Sequence, residues 1–310
     1  MTTRSGWIFG FAAYLSWGAF PLFFSLLAPV DPWEIVPWRV LTAAAFCVIL
    51  VTLIRAWRPI WRIARSPRRL GWFVLSSLLL YANWQVFVIG IVTGHVIEAS
   101  LGYFINPLFT ILLGVLLRRE RLRPAQWTAV GVATVGVVVS AVAMGAFPWI
   151  AVGLALTFAL YGAVRKQMSE DIDALHGLTV ETLIAVPVAL GQLALLPLLG
   201  IALTAFTHGT AVTIPLLLTG TVTAIPLLFF GGANRRLPLT HLGFLQFLTP
   251  ILGFLSGYFL FGEVMTPVRW FGFITVWVAL TILLADMTVA LRDHRRRARL
   301  EAAVTGEIPT

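Results

Sequence analysis

The chain has 310 residues, of which 59% are apolar and only 11% charged, with a mean hydropathy of +0.92. Soluble domains carry roughly a quarter charged residues, so this composition excludes one and points to a polytopic membrane protein. A net charge of +9 on a soluble surface would indicate nucleic acid, but here the basic residues sit in short loops between apolar runs and in the C-terminal tail, which is a topology signal.

Taken in order, uncharged or nearly uncharged runs occupy about 6–28, 34–54, 71–92, 97–117, 124–143, 148–164, 178–203, 211–233, 241–261 and 267–285. Runs of this length span a bilayer as helices. None alternates in the manner of a membrane β-barrel strand, so the expected fold class is all-α integral membrane with ten transmembrane helices. The first run is longer than a signal-peptide core and reads as a retained span. The single Cys47 lies inside the second run and reads as a small core residue, with no disulfide framework and no metal-ligand spacing. His95, His176, His208, His241 and His294 are scattered in or near loops, and neither cofactor nor metal is expected.

Arginine and lysine set the orientation. With the N-terminus inside, Arg4, the clusters Arg55 to Arg69 and Arg118 to Arg123, Arg165 with Lys166, Arg235 with Arg236, and the cluster Arg292 to Arg299 share one side, twenty of the twenty-two basic residues. Both termini are therefore expected in the cytoplasm, with the chain in the inner or plasma membrane. Nine of the twelve tryptophans lie near run ends, as an interfacial belt requires, whereas Trp17, Trp84 and Trp277 lie deeper. The last stretch, 288–310, is basic and then poor in bulky apolar residues; it reads as a segment on the lipid surface with a partly disordered end.

The stretch from Glu98 to Trp127 occurs twice. Shifted by 143 residues, Phe104, Pro107, Gly114, Glu120, Pro124 and Trp127 fall on Phe247, Pro250, Gly257, Glu263, Pro267 and Trp270. Five crossings per half is an odd number, so the second half enters the membrane from the other side. The Glu120 loop is then inside and arginine-rich, and the Glu263 loop is outside with no basic residue before Arg269. The expectation is two inverted five-helix repeats, at 6–143 and 148–287, with a binding site where they meet.

Several residues stand out inside these runs. Pro107 and Pro250 fall near the middle of the fourth and ninth helices and are expected to break them, freeing the carbonyls of Tyr103 and Gln246, with Asn106 alongside. Such kinks serve packing or line a cavity. Arg39 lies inside the second helix and needs a partner, for which Glu98 is nearest in depth; Glu181 near the start of the seventh has Arg165 and Lys166 as candidates. These pairs read either as alternately opening gates or as static ties between helices. Tyr14, Trp17, Asn83, Trp84 and Tyr161 complete the set. WGA at Trp17 and YGA at Tyr161 correspond across the halves, as stacking surfaces for an organic solute or as packing beside Gly18 and Gly162.

These same residues carry a resemblance. WRV around Arg39, NW at Asn83, EASLGYFINPL from Glu98, the RRERL loop, YGAVRK from Tyr161, ET at Glu181, and LGFLQFLTP with FGE between Leu242 and Glu263 resemble the RarD branch of the EamA-type drug/metabolite transporter superfamily over about residues 6 to 288. The resemblance implies a ten-helix inner-membrane carrier built from two inverted EamA repeats around a central cavity, without implying a particular solute.

The expected function is secondary transport of a small organic solute by alternating access, with no enzymatic activity. No Walker motif or hydrolase constellation is present, and both proton coupling and exchange are compatible with the sequence. The expected partners are the solute and, for the basic loops and tail, membrane lipid; no nucleic-acid partner is expected, and the sequence carries no signal for oligomeric state. The alternatives are a non-transporting membrane assembly or regulatory protein and a membrane-embedded enzyme acting on a lipid intermediate.

Overall fold

A computed structural model describes residues 3–118, 123–144, 147–167, 172–234, 236, 245 and 248–305. Every regular element among them is helical. In chain order these are α1 (Thr3–Gly18), α2 (Phe20–Ser25), α3 (Pro32–Leu53), α4 (Arg58–Ala64), α5 (Pro67–Val92), α6 (Val96–Arg118), α7 (Pro124–Met144), α8 (Trp149–Gln167), α9 (Ala174–Leu195), α10 (Thr210–Asn234), α11 (Leu248–Leu255) and α12 (Pro267–Thr305). Among the described residues, five stretches are long and apolar enough to cross a membrane: Ser5–Ser25, Pro32–Leu53, Pro67–Val92, Ala174–Leu199 and Thr210–Phe230. Shorter apolar helices cover Trp149–Arg165, Leu248–Leu260 and Pro267–Ile282. The chain is a multi-pass, all-helical membrane protein.

Breaks fall where backbone chemistry demands them. The first predicted run is divided at Ala19, because Pro21 has no N–H to donate and its ring disfavours a continuous helix through the preceding turn. α2 restarts there with Pro21 in its first turn. The break expected at Pro107 does not divide the fourth run: α6 continues on both sides of it, one helix from Val96 to Arg118. In the ninth run, Pro250 lies in the first described turn of α11, and the helix then widens into a π-helical turn over Ser256–Leu260. Gly257 sits in that turn, and a Cβ there would meet Ile97 Cγ1 at 2.6 Å, so its lack of a side chain lets α6 approach.

Two further elements differ from expectation. The arginine-rich segment after α3 contains the short helix α4, with Ile60 and Ile63 buried three residues apart and Trp61 exposed between them. The last helix carries on through Thr305, past the expected start of a tail at 288. Its sequence there, RDHRRRARLEAA, is rich in strong helix formers, so a helix already nucleated by an apolar span propagates into it.

The described chain groups into two units, Met1–Thr110 with Trp149–Val264 and Ile111–Pro148 with Met265–Thr310, and each takes residues from both predicted halves. Within the first, α3 packs on α9 and α10, α1 on α10 and α11, and α5 on α8 and α9. Its core is built from Phe24, Leu27, Ile35, Val40, Val88, Leu154 and Leu216, all at or near zero exposure. Cys47 is buried within it. The second unit is an antiparallel pair. Arg123 Nη2 meets Asp286 Oδ2 at 3.1 Å near one end, and a Cβ at Gly136 would run into the Thr275 side chain further along. Ala129 and Ala133 continue that small face of α7.

Candidate functional site

The first unit encloses a cavity of about 940 Å³. Its walls come from α1, α3, α5 and α6 on one side of the sequence and from α8, α9, α10 and α11 on the other. Aromatic surface dominates the middle. Tyr14 and Trp17 on α1 meet edge to face at 5.3 Å between centroids, and Phe230 on α10 packs against both, at 6.1 and 5.7 Å. Tyr103 on α6 sits 6.2 Å from Phe87, and Tyr161 on α8 sits 5.9 Å from Phe158. All seven rings line the cavity.

At one end stands Arg39, 2% exposed on α3. Its Nε donates to Thr223 Oγ1 at 2.8 Å, and its guanidinium lies 4.3 Å from the Trp84 ring centroid and 4.9 Å from that of Phe24. The pairing expected with Glu98 is not formed among the described residues. Glu98 Oε1 accepts instead from the backbone N–H of Ile150 at 3.0 Å, where it serves the unpaired donors at the start of α8. Sequence depth placed the two side by side; the helix N-terminus offered the carboxylate a partner that is always available.

Toward the other end, Glu181 on α9 is 1% exposed and satisfied from two neighbouring helices. Arg165 Nη1 on α8 lies 3.4 Å from Glu181 Oε1, Ser76 on α5 donates to the same oxygen, and Tyr161 Oη donates to Oε2 at 3.4 Å. Ser77 adds a bond to the Glu181 carbonyl at 2.7 Å. Gly177, one turn before Glu181, makes room for the Arg165 guanidinium, which a Cβ would strike. Beyond this cluster, Asp173 caps α9 through the His176 N–H at 3.0 Å, and the His176 ring bridges Asp173 to the carbonyl of Ala56.

Of the residues singled out from sequence, Tyr14, Trp17, Arg39, Asn83, Trp84, Tyr103, Tyr161, Arg165, Glu181 and Pro250 line this cavity. Asn83 is turned partly to structure, donating to Leu154 O at 3.1 Å and Thr157 Oγ1 at 2.9 Å and so tying α5 to α8. Asn106 is buried but is not part of the cavity wall, and Gln246 lies outside the described residues. The Lys166 side chain is also outside them. Sequence reasoning missed Thr223, although Thr219 and Thr223 stand four apart on one face of α10, a spacing that marks a polar stripe. It also missed Glu34, 1% exposed, whose oxygens accept from Thr204 N at 2.8 Å and Ala205 N at 3.1 Å. Glu34 follows Asp31 at the spacing of a capping box, which makes it look local.

Comparison with known proteins places this geometry in context. Residues 4–142 match the EamA-like transporter family. The chain is 44% identical to "Protein RarD" of Streptomyces exfoliatus over 99% of this chain and 96% of that one. It is 40% identical to an "Uncharacterized transporter" of Pseudomonas aeruginosa over 93% and 96% of the two chains. A solved crystal structure aligns over 91% of this chain and 97% of its own with a TM-score of 0.57 at 19% identity, a likeness of fold.

Proposed function

The chain belongs to the RarD family of the EamA-type drug/metabolite transporter superfamily, a family of membrane transporters, and from that premise we propose that it is a secondary carrier moving a small organic solute by alternating access between two inverted repeats. The observation that carries this reading is the cavity of about 940 Å³, walled by helices from both halves of the sequence and lined by rings and ionic groups together. A volume of that size suits a drug-sized or metabolite-sized solute.

The helix pairings support the inverted repeat. Exchanging each helix of the first half for its counterpart in the second turns the α1–α10 contact into α8–α5, and α3–α10 into α9–α5; both pairs of contacts occur, and α3–α9 maps onto itself. In this reading the repeats are 6–143 and 148–287, the ten spans are those of the sequence, and both termini are cytoplasmic. The cavity then reaches the cytoplasmic ends of α8, α9 and α10 at Arg165, His176 and Arg236. At the outer side Glu34, Gln85 and Gln192 bind across helices, Gln85 to Pro32 O at 2.9 Å and Gln192 to Gln85 at 3.1 Å. Glu263 adds a bond to Ile97 N at 3.1 Å. On this reading the state is inward-facing, and solute contact falls to the cavity-lining residues, with Glu98 and Asn106 in supporting positions.

By the positive-inside rule the basic loops and the basic C-terminal stretch fall to the cytoplasm, where they bind anionic lipid. Counterflow in liposomes tests the carrier reading: preloaded unlabelled solute must accelerate uptake of labelled solute, and uptake must saturate. A protein that binds solutes but shows neither behaviour across a broad metabolite panel is not a carrier.

A further inference from the structure

Arg39 carries a charge for which the described residues supply no counter-ion. Its Nε is taken by Thr223, but Nη1 is buried and without a hydrogen-bond partner. The rings of Trp84, Phe24 and Phe20 flank the guanidinium, at 4.3, 4.9 and 5.8 Å, and satisfy its faces rather than its N–H edge. The described acidic groups of the first unit are engaged elsewhere, Asp31 with the Trp33 N–H. Glu34 holds Thr204 and Ala205, Glu98 holds Ile150, Glu263 holds Ile97, Glu181 holds Arg165, and Asp173 holds His176. Among the described residues of the cavity wall three arginines stand against two carboxylates, Glu181 and Asp173, an excess of one positive charge.

An unpaired guanidinium inside a membrane span is costly, and such a group persists where function uses it. Resting on the carrier reading above, we propose that the solute is an organic monoanion, a carboxylate joined to a planar apolar body. The carboxylate takes the open N–H edge of Arg39, where charge-assisted bonds to a guanidinium are strong and directional. The body lies among Trp17, Trp84, Tyr103 and Phe230, whose rings face the same cavity. Thr223 fixes the guanidinium and spends its own proton on Thr219 O at 2.7 Å, so it remains satisfied if Arg39 is removed.

The test uses matched probes on the purified full chain: phenylacetate and indole-3-acetate, their amides, and phenethylamine and tryptamine. The carboxylates are expected to bind roughly tenfold to a hundredfold more tightly than the amides, the gain expected of a bond between charged groups over a neutral one, and the amines more weakly still. Arg39→Met is expected to abolish that preference while the empty protein melts no lower than the parent, since a buried unpaired charge has been removed; Arg39→Lys keeps part of the preference. Equal binding of carboxylate and amide, no binding of any carboxylate, or a preference that survives in Arg39→Met each overturns the anion assignment. Liposome flux separates this from the carrier reading. Flux of amides or amines without carboxylates defeats the anion and leaves a carrier, whereas tight carboxylate binding without any flux keeps the anion site and defeats the carrier.

Discussion

Arg165 and Glu181 form an unequal pair: their charged atoms lie 3.4 Å apart, yet the arginine side chain is 26% exposed and the glutamate 1%. Removing one partner therefore does not have the same consequence as removing the other. Without Glu181, Arg165 has water within reach at the cavity mouth. Without Arg165, a carboxylate stays buried with only the hydroxyls of Ser76 and Tyr161 against it.

Arg165→Met is accordingly expected to destabilise the protein by about 3 kcal/mol, the lower end of what breaking a buried pair costs because the hydroxyls remain. Glu181→Gln is expected to cost less, about 1 kcal/mol, since the exposed partner re-solvates. Thermal unfolding of both variants in one detergent checks the order. A glutamate variant that melts well below the arginine variant would mean that Arg165 is held as tightly as Glu181.

The contact of α3 with α10 depends on Gly220. Its N–H donates to Thr42 Oγ1 at 3.0 Å, and an added Cβ would run into the backbone nitrogen of Ala43, which has no flexible end to move away. Gly220→Ala is expected to force the helices apart at a cost of about 2–3 kcal/mol, typical of overpacking in a close-packed interior. Gly191→Ala on α9 meets nothing within 4 Å and is expected to be neutral or stabilising by up to about 1 kcal/mol through helix propensity. Paired unfolding measurements on the two alanines test the contact, and equal stability would refute it.

Much of this architecture is legible in the chain because membrane helices announce themselves by length and apolarity. Arg39, Trp84, Tyr161 and Glu181 are visible for the converse reason: each is polar or amphipathic where lipid tolerates neither, so each faces protein or cavity. What depth and spacing do not contain is which partner a side chain chooses. Glu98 sits at the same level as Arg39 but goes to a helix N-terminus, and Glu34 reaches across to Thr204 when its spacing from Asp31 marks a local cap. Pro21 and Pro107 make the same point for backbone. Both disrupt an ideal helix, yet only the first coincides with an end, between Gly18 and Phe20, because neighbouring packing decides whether the lost bond is tolerated.

The second unit is set by small residues on α7. Gly136→Leu places a branched side chain where Thr275 already stands. It is expected to separate α7 from α12 locally at a cost of about 3 kcal/mol, the upper part of the overpacking range. Gly131→Ala, which meets nothing within 4 Å, is expected to change stability by less than about 1 kcal/mol. Cysteines placed at 133 and 276 in a Cys47→Ala background report the packing directly: their rate of crosslinking should fall with Gly136→Leu and stay level with Gly131→Ala. Unchanged crosslinking in Gly136→Leu would show that the pair does not pack through this face.

Glu34 bears on the proposed transport cycle. Its carboxylate accepts two backbone N–H groups from the segment between α9 and α10, at Thr204 and Ala205. Leaving two such donors without an acceptor costs on the order of 1–3 kcal/mol, and that loss falls on the state in which the tie is made. If the outer end must open during transport, the tie is absent from the outward-facing state, so Glu34→Ala shifts the population outward by about tenfold or more. Phe20→Cys provides the reporter in a Cys47→Ala background, since Phe20 lines the cavity and is 6% exposed. A membrane-impermeant maleimide applied to the outside of intact cells should label it about tenfold faster when Glu34 is alanine than when it is native. Glu34→Gln, which keeps one acceptor oxygen, should fall between. Labelling that does not respond to Glu34, or that slows, would show that this buried carboxylate holds a loop in place without controlling access from outside.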